Sequence, residues 1–538
     1  MKRTRLIGPP GTGKTTYLLD VIKGWVESGV EPPRIAFLSF SKAAIQEARN
    51  RVLGSLPESE IPNWRTLHSH AFRALDALPG SMLTIKDWVD FGRKFGYQFS
   101  LAATLSMHPV EASTDSDSLL VGYHYGRSTM TDNWQKTAET LGGDLRDDEL
   151  TGFVRNLEAY KKEAGKIDFH DLLTDAIQKR AVPVGISHVV LDEAQDLTPL
   201  QWEYFNAILE ENQPEAVHVA CDPQQSIYGF SGCDPRLLET FEVDEEIVLR
   251  QSHRLPDELV RFARAICPQA VEYFGRLNGE ANHLTLKAPW DKVIAGLDGR
   301  RTFILARSNY LISQIAQELS AHGIDYQTKI GEDGFVTSQR HALGHLFGAL
   351  KSNGSYTIPV GVLFDVIETL DSRECKMPRG YKAATGAEAS GNPGAPSDLA
   401  KEPWFQAIRA PLTTNPQKFF KRVYRRQIPR LMRLIQKKGP EAMMQEPTLT
   451  VMTIHQSKGK EVDRVILIPV LPKRVYESLH GFDQNAVKRN REGESRLWYV
   501  GATRAREELI VVNPYDRAFA ANQEYVLPAK PEPVEDVL

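Results

Sequence analysis

Cysteine is scarce in this chain, with Cys221, Cys233, Cys267 and Cys375 the only four among 538 residues. They lie far apart, without a CxxC pair or a Cys/His cluster, which argues against a structural zinc site and points to a reducing, cytosolic setting. Apolar runs long enough for a membrane span are missing too, and MKRTRLIGPPG has none long enough for a secretory leader, so no membrane is expected as a partner. Neither sign of charge dominates: Lys and Arg total 65 against 69 Asp and Glu, a formal charge of -4. Such a balance does not exclude nucleic-acid binding, because a basic groove can be masked by acidic surface elsewhere. What is present is ordinary. Hydrophobic residues at 41% and charged residues at 25% exclude wholesale disorder. The length alone predicts three to four domains at roughly 150 residues each.

Apolar patterning divides the chain. Arg5-Leu6-Ile7 ends a short strand, a glycine-rich loop follows, and Thr15 to Trp25 has helical spacing. Arg34 to Phe40 (RIAFLSF) is a second strand and Ser41 to Leu53 a second helix, the opening of a parallel α/β sheet. The rhythm is lost from about Leu78 to Gly165, where charged and helix-forming residues predict an inserted helical subdomain. Strands return at His188 to Leu191, Ala216 to Cys221 and Ile247 to Leu249. A second α/β unit starts with TFILARS after Arg301, runs into a helix over Asn309 to His322, and breaks after about Gly334. It resumes at Leu449 to Ile454, Arg464 to Val470 and Glu508 to Val512. Within the break, the Gly, Ala, Ser and Pro content of Ala383 to Ser397 predicts a flexible loop. The Pro- and acid-rich tail Ala529 to Leu538 reads as disordered.

Gly8-Pro-Pro-Gly-Thr-Gly-Lys-Thr15 fits G-x-x-x-x-G-K-[ST] and sits between a strand and a helix, the context that pattern requires. Its glycines let backbone N–H groups turn onto phosphate oxygens, and the helix N-terminus adds a favourable dipole. Lys14 is placed to bridge β- and γ-phosphates and the Thr15 hydroxyl to ligate Mg²⁺. His188-Val-Val-Leu-Asp-Glu-Ala-Gln-Asp196 supplies the carboxylates. The apolar run delivers Asp192 to the sheet's carboxyl edge to hold Mg²⁺ through water. Glu193 beside it is placed to orient and deprotonate the attacking water. ATP and Mg²⁺ are the expected cofactors, bound by Gly8, Pro9, Pro10, Gly11, Thr12, Gly13, Lys14, Thr15 and Thr16 with Asp192.

GPPGTGKT, DEAQD, DPQQSIYGFSG, TIHQSKGKEVD and YVGATRARE occur in that order from Gly8 to Glu507. Together they resemble the motif set of superfamily 1A DNA helicases of the UvrD/PcrA/Rep type. The resemblance implies an α/β fold of two RecA-like parallel-sheet P-loop domains in tandem, each interrupted by a mostly helical insertion. On that plan the first domain covers 1–77 and 166–245 around an insertion at 78–165. The second covers 246–334 and 448–515 around 335–447, and 516–538 forms a tail. It implies an ATP-dependent helicase or single-strand translocase moving 3′ to 5′. Its substrates would be single-stranded DNA and single/double-strand junctions, and its partners replication or repair proteins. The setting would be the cytoplasm of a bacterial or phage-infected cell, with a monomer in isolation.

Residue by residue, the resemblance makes Gln225 the sensor of the γ-phosphate. Arg254 and Arg504 become arginine fingers from the second sheet, His253 the ring facing adenine, and Glu461 the acceptor for ribose hydroxyls. Phe230 stands where relatives carry a base-stacking aromatic, with a packed core ring as the alternative, and Ser231 replaces the usual arginine. Phe40 is equally a stacking ring or the last core residue of its strand. His68, His455, Lys458 and, with Asn309, Arg307 are candidates for the DNA path. The segment IDFHDLL from Ile167 to Leu173 also matches the family and reads as structural. Seven residues precede Gly8, leaving no room for the upstream glutamine through which relatives read adenine, so weak discrimination among NTPs is expected.

Lys418 to Lys438 holds nine basic residues in 21 and no acid. It is either a phosphate-contacting surface or the solvated face of a helix pair broken near Pro429. No nuclease-like acid cluster follows Glu507. Two other readings stand beside the helicase: a translocase that strips proteins from DNA and unwinds poorly, and an ATP-gated recruitment module.

Overall fold

The computed structural model describes residues 1–39, 42–52, 58–100, 103–104, 114–141, 145–277, 282–328, 337–352, 354–422, 424–425, 427–515 and 523–529. Phe40, Arg426 and most of the tail lie outside them. The chain forms two compact units. One comprises Met1–Leu284, Arg474–Glu507 and Leu527–Leu538, the other Thr285–Lys473 and Glu508–Val526.

The first unit is built on β1 (Lys2–Ile7), β2 (Ile35–Ser39), β3 (Trp64–Arg65), β4 (His188–Asp192), β5 (Ala216–Cys221) and β6 (Glu245–Val248). They form one parallel sheet in the order β3-β2-β4-β5-β1-β6. Every residue of β2 and β4 is buried, as continuous apolar runs require when helices cover both faces. Alternate side chains feed opposite cores: Val189 and Leu191 pack with Leu200 and Phe205, whereas Val190 packs with Leu18, Ile22 and Phe37. The edge strand β6 carries the chain in this sheet as far as Val248. A short parallel pair follows, β7 (Gln251–Pro256) with β8 (Phe274–Arg276).

Between β3 and β4 the helices Ile85–Phe95, Asp115–Ser128, Trp134–Leu141 and Asp147–Ala164 share a core of Trp88, Phe91, Leu120, Tyr123, Leu150, Phe153 and Leu157. The helix Phe169–Gln178, capped by Asp168, then leads back toward β4.

The second six-stranded sheet consists of β9 (Leu284–Ala288), β10 (Thr302–Ala306), β11 (Gln327–Thr328), β14 (Leu449–Thr453), β15 (Val462–Leu467) and β17 (Ala505–Val512) in the order β11-β14-β10-β15-β17-β9. Its long interruption is helical, with Leu343, Phe347, Ile367, Trp404, Phe405, Leu431 and Leu434 in one core. Here the expected flexible loop at Ala383 to Ser397 is corrected. Tyr381–Gly391 is a helix entered from Gly380 in the left-handed region. Pro396–Asp398 (β13) pairs antiparallel with Thr357–Pro359 (β12). Alanines at 383, 384, 387 and 389 favour the helix enough to outweigh Gly386, and only Asn392 to Ala395 turns. A last antiparallel pair joins Val470–Leu471 (β16) to Gln523–Glu524 (β18).

Candidate functional site

The loops at the carboxyl ends of β1, β4 and β5, three neighbouring strands, meet in the place where open α/β sheets bind ligands. Gly8 N–H donates to Cys221 O at 3.0 Å, fixing where the first loop leaves the sheet. Gly11 and Gly13 have φ of 74° and 87°, left-handed conformations that let successive amides turn inward. The Thr12 hydroxyl donates to Pro9 O at 2.8 Å and closes the loop. Lys14 is buried beneath it, its Nζ donating to Gly8 O at 2.5 Å. A Cβ on residue 8 would stand 2.3 Å from Lys14 Cγ, so the lysine fits only under glycine. The helix Lys14–Glu27 starts without a side-chain cap, leaving its first N–H groups for an anion. Pro9, Pro10 and Thr12 are buried with the loop, and Thr16 is exposed.

Asp192 ends β4 and accepts from Thr15 Oγ1 at 3.1 Å and from the Glu193 N–H at 2.9 Å. Burial and the adjacent Glu193 push its carboxyl up to about 7 against the pull of Lys14. Glu193 has a left-handed φ of 56°, a strained conformation of the kind that collects at functional sites. Its carboxylate accepts from Gln195 Nε2 at 2.5 Å. After β5, Asp222 accepts from Gln225 Nε2 at 2.8 Å, while Gln225 Oε1 accepts from Arg504 Nη2 at 2.9 Å. Arg504, 2% exposed, is further held by Val500 O at 2.9 Å and Thr503 Oγ1 at 3.1 Å. Five expected residues thus converge: Lys14, Thr15, Asp192, Gln225 and Arg504, with Glu193 at their edge.

Strand β7 hooks onto the phosphate loop. Ser252 Oγ donates to Pro10 O at 2.9 Å, and His253 N–H to Gly11 O at 2.9 Å. A Cβ on Gly11 would lie 2.5 Å from Arg254 Cβ, so Arg254 passes directly over the loop. His253 presents an exposed ring beside it. The expectation that both arginines come from the second sheet is corrected for Arg254, which lies on β7 within the first unit. Arg504 immediately precedes β17 and is also clustered with the first unit.

The DNA candidates are placed less uniformly. Phe230 lies on the turn Gly229–Ser231, half-buried and edge-on to Tyr228 at 6.1 Å between ring centroids, and so is not a sealed core residue. His68 packs edge-on against the exposed Phe169 at 5.7 Å. Burial lowers its pKa to about 4, and its Nε2 is buried with no hydrogen-bond partner. Phe40 lies outside the described residues.

In the second unit His455 is buried on the turn Ile454–Ser457. Burial first, then the nearby charges of Arg307 and Lys458, hold it neutral, which brings these three expected residues together. Glu461, half-buried, precedes β15 in the same unit. Much of the basic run is engaged within the chain: Lys418 pairs with Glu374 at 3.3 Å, Lys421 with Glu368 at 3.1 Å and Arg425 with Asp371 at 3.8 Å. Arg430 lies over the Tyr326 ring at 4.0 Å. Arg433, Lys437 and Lys438 on the helix Ile428–Lys438 remain exposed.

Sequence reasoning passed over Ser252, Gln195 and Asp222. Two of them sit inside motifs already singled out, and Ser252 directly precedes His253. It also read IDFHDLL without seeing what that segment anchors. Lys161, 3% exposed, contacts Asp168 at 3.1 Å, Asp171 at 2.7 Å and Glu158 at 2.8 Å, and donates to Tyr123 OH at 2.8 Å.

Comparison with known proteins agrees with this geometry. Residues 2–246 match the UvrD/REP helicase N-terminal domain and residues 417–514 the UvrD-like helicase C-terminal domain. The chain is 25% identical over 554 aligned residues to the ATP-dependent DNA helicase UvrD2 of Mycobacterium tuberculosis, covering 93% of this chain and 75% of that one. It is 28% identical over 400 residues to the ATP-dependent DNA helicase srs2 of Schizosaccharomyces pombe, covering 64% and 42%. A probable DNA helicase of Mycoplasma pneumoniae is 26% identical over 255 residues, covering 44% and 47%. Among the described residues no helix is long and apolar enough to cross a membrane. With a phosphate loop, carboxylates and an arginine assembled at the edge of its first parallel sheet, the chain belongs to the UvrD-like superfamily 1 helicases and is an ATP-dependent DNA helicase.

Proposed function

We propose that this helicase moves 3′ to 5′ along single-stranded DNA, engages single/double-strand junctions, and hydrolyses ATP at the convergence of the β1, β4 and β5 loops. The observation that carries the reading is the linked set Thr15–Asp192 and Asp222–Gln225–Arg504 around Lys14. The oxygens of Thr15 and Asp192 suit a hard divalent cation; they would hold Mg²⁺, which would neutralise phosphate charge there. Lys14 exchanges its bond to Gly8 O for phosphate oxygens, and the loop amides orient the triphosphate. Glu193 takes the proton from the attacking water. Arg504, with Arg254 beside the loop, stabilises charge on the transferring phosphoryl group; one such arginine is worth about 10³–10⁵ in rate. His253 faces the base.

On the nucleic-acid side, Phe230 offers a stacking face worth about 1–3 kcal/mol per base with no sequence preference. Arg307 and Lys458, set around the neutral His455, supply phosphate contacts in the second unit. In the first unit His68 is the further candidate for the DNA path. The test is steady-state ATP hydrolysis with and without single-stranded DNA, using Glu193→Gln as the blank, followed by duplexes carrying a 3′ or a 5′ tail. The reading requires DNA stimulation that the blank abolishes and unwinding from the 3′ tail. Hydrolysis indifferent to DNA, or unwinding from the 5′ tail alone, refutes it.

A further inference from the structure

Gln195 is 1% exposed and makes two directed contacts with its side-chain amide. Its Nε2 donates to Glu193 Oε2 at 2.5 Å, and its Oε1 accepts the Asp222 N–H at 3.0 Å. The chemistry fixes this orientation: a carboxylate needs a donor and a backbone N–H needs an acceptor, and the amide presents one of each on separate atoms. Its own carbonyl accepts from Ser226 Oγ at 3.0 Å, so the residue is held from two sides. Glu193 meanwhile sits at a left-handed φ of 56°, where a flexible carboxylate has to be fixed by something other than backbone preference.

We propose that Gln195 is the positioning residue for the catalytic base: it aims the Glu193 carboxylate and ties that aim to the loop after β5. This inference rests on the reading of Glu193 as the group that takes the proton. Through Asp222 and Gln225 the same tie continues to Arg504, so one hydrogen-bonded path joins the base to the phosphoryl-stabilising arginine. Gln195 itself touches neither water nor phosphate in this role. Its loss therefore lowers kcat and leaves nucleotide binding alone.

The experiment measures DNA-stimulated ATPase and binding of a fluorescent ATP analogue for Gln195→Glu and Gln195→Met, beside the parent and Glu193→Gln. Gln195→Glu keeps the acceptor for the Asp222 N–H and so preserves the loop, but sets a carboxylate against Glu193. Gln195→Met keeps the length and removes both contacts. The expected result for each is a kcat lowered about 10- to 100-fold, the size typical of lost orienting partners, with KM for ATP and analogue affinity within about threefold of the parent. In single-turnover assays, Gln195→Met placed in the Glu193→Gln background adds no further loss, because the two act as a unit. If Gln195→Met proves unstable, Gln195→Glu carries the test. Unchanged kcat in a folded variant, or KM rising in step with the loss of kcat, overturns the assignment. Were Glu193→Gln itself to hydrolyse ATP at the parent rate, the failure would lie with the base and not with Gln195.

Discussion

Lowering the pH from 7 to 5 should destabilise the first unit through its buried histidines. His124 and His170 face each other with Nδ1 and Nε2 2.9 Å apart, so one nitrogen must donate and the other accept. A second proton there would set N–H against N–H. Burial lowers His124 to about 4 from 6.5. His70, which meets Asn63 O at 3.1 Å, is likewise lowered by burial to about 4. Both folded values lie below the unfolded one, so the unfolded chain binds these protons first. The penalty is absent above about pH 6.5, grows as the pH falls, and saturates below about pH 4. At pH 5 His68, His70 and His124, each lowered to about 4, cost about 2 kcal/mol apiece. The raised Asp192 carboxyl gives back about 2 kcal/mol, because the folded chain takes up that proton first. The net of about 4 kcal/mol should drop the midpoint by roughly 5 °C in a unit of this size. Asp168 does not offset this: although burial alone would raise it, Lys161, His170 and Tyr123 hold it below the ordinary carboxylate range, and it stays ionised throughout. Thermal unfolding at pH 5, 6, 7 and 8 at fixed ionic strength measures the slope. His124→Asn places an amide where Nδ1 was and cannot titrate, so its midpoint should fall by about half as much as the parent's. Midpoints equal at pH 5 and 7, or a variant falling as steeply as the parent, would refute the reasoning.

Three further outcomes follow from particular contacts. Lys161→Met leaves Asp168 and Asp171 facing each other without their buried cation, and should cost about 3–5 kcal/mol in denaturant titration. Gly11→Ala forces a Cβ to 2.5 Å from Arg254 Cβ and 2.8 Å from Ser252 Oγ at a φ of 74°, so affinity for ATP should fall at least about tenfold. Gly29→Ala, at φ 97° with nothing within 4 Å, should leave ATP affinity as it was. Arg433→Glu with Lys438→Glu, on the exposed side of the helix Ile428–Lys438, should reduce the salt dependence of duplex binding by about 0.7–0.9 per lost phosphate contact. Arg425→Glu should instead lower stability by breaking its pairing with Asp371, and equal salt slopes for the two changes would remove the distinction.

The parallel sheets were legible because their strands are continuous apolar runs: β2 and β4 are buried on both faces, and nothing else explains IAFLS or HVVLD. The phosphate loop was legible because glycine spacing and a following lysine are local consequences of its geometry. Two-residue strands such as Trp64–Arg65 and Gln327–Thr328 leave no period to detect. At Ala383 to Ser397, composition misled because alanine's helix preference was read together with the glycines around it. The His124–His170 contact joins residues 46 apart, and the Gln225–Arg504 contact residues 279 apart. Neither pairing leaves a mark in local sequence, although each participant except His124 lies in a motif that had drawn notice.

The path from Glu193 to Arg504 runs through two glutamine side chains, and the choice of residue has a physical consequence. A carboxylate at position 225, buried beside Asp222, would add like charge where burial already raises the Asp222 carboxyl. A lysine or arginine there would place a second cation against Arg504. An amide does neither. It donates to Asp222 and accepts from Arg504 at no charge cost, and can turn its oxygen or its nitrogen toward a new partner when phosphate arrives or leaves. Gln195 gives the same freedom at the other end, between Glu193 and the Asp222 N–H. On the proposed reading the site registers the γ-phosphate as well as binding it, and that needs hydrogen bonds that can be exchanged one for another without leaving a buried charge alone. The two glutamines meet that requirement, and replacing either by an apolar residue of equal length should separate nucleotide binding, which persists, from DNA-stimulated turnover, which does not.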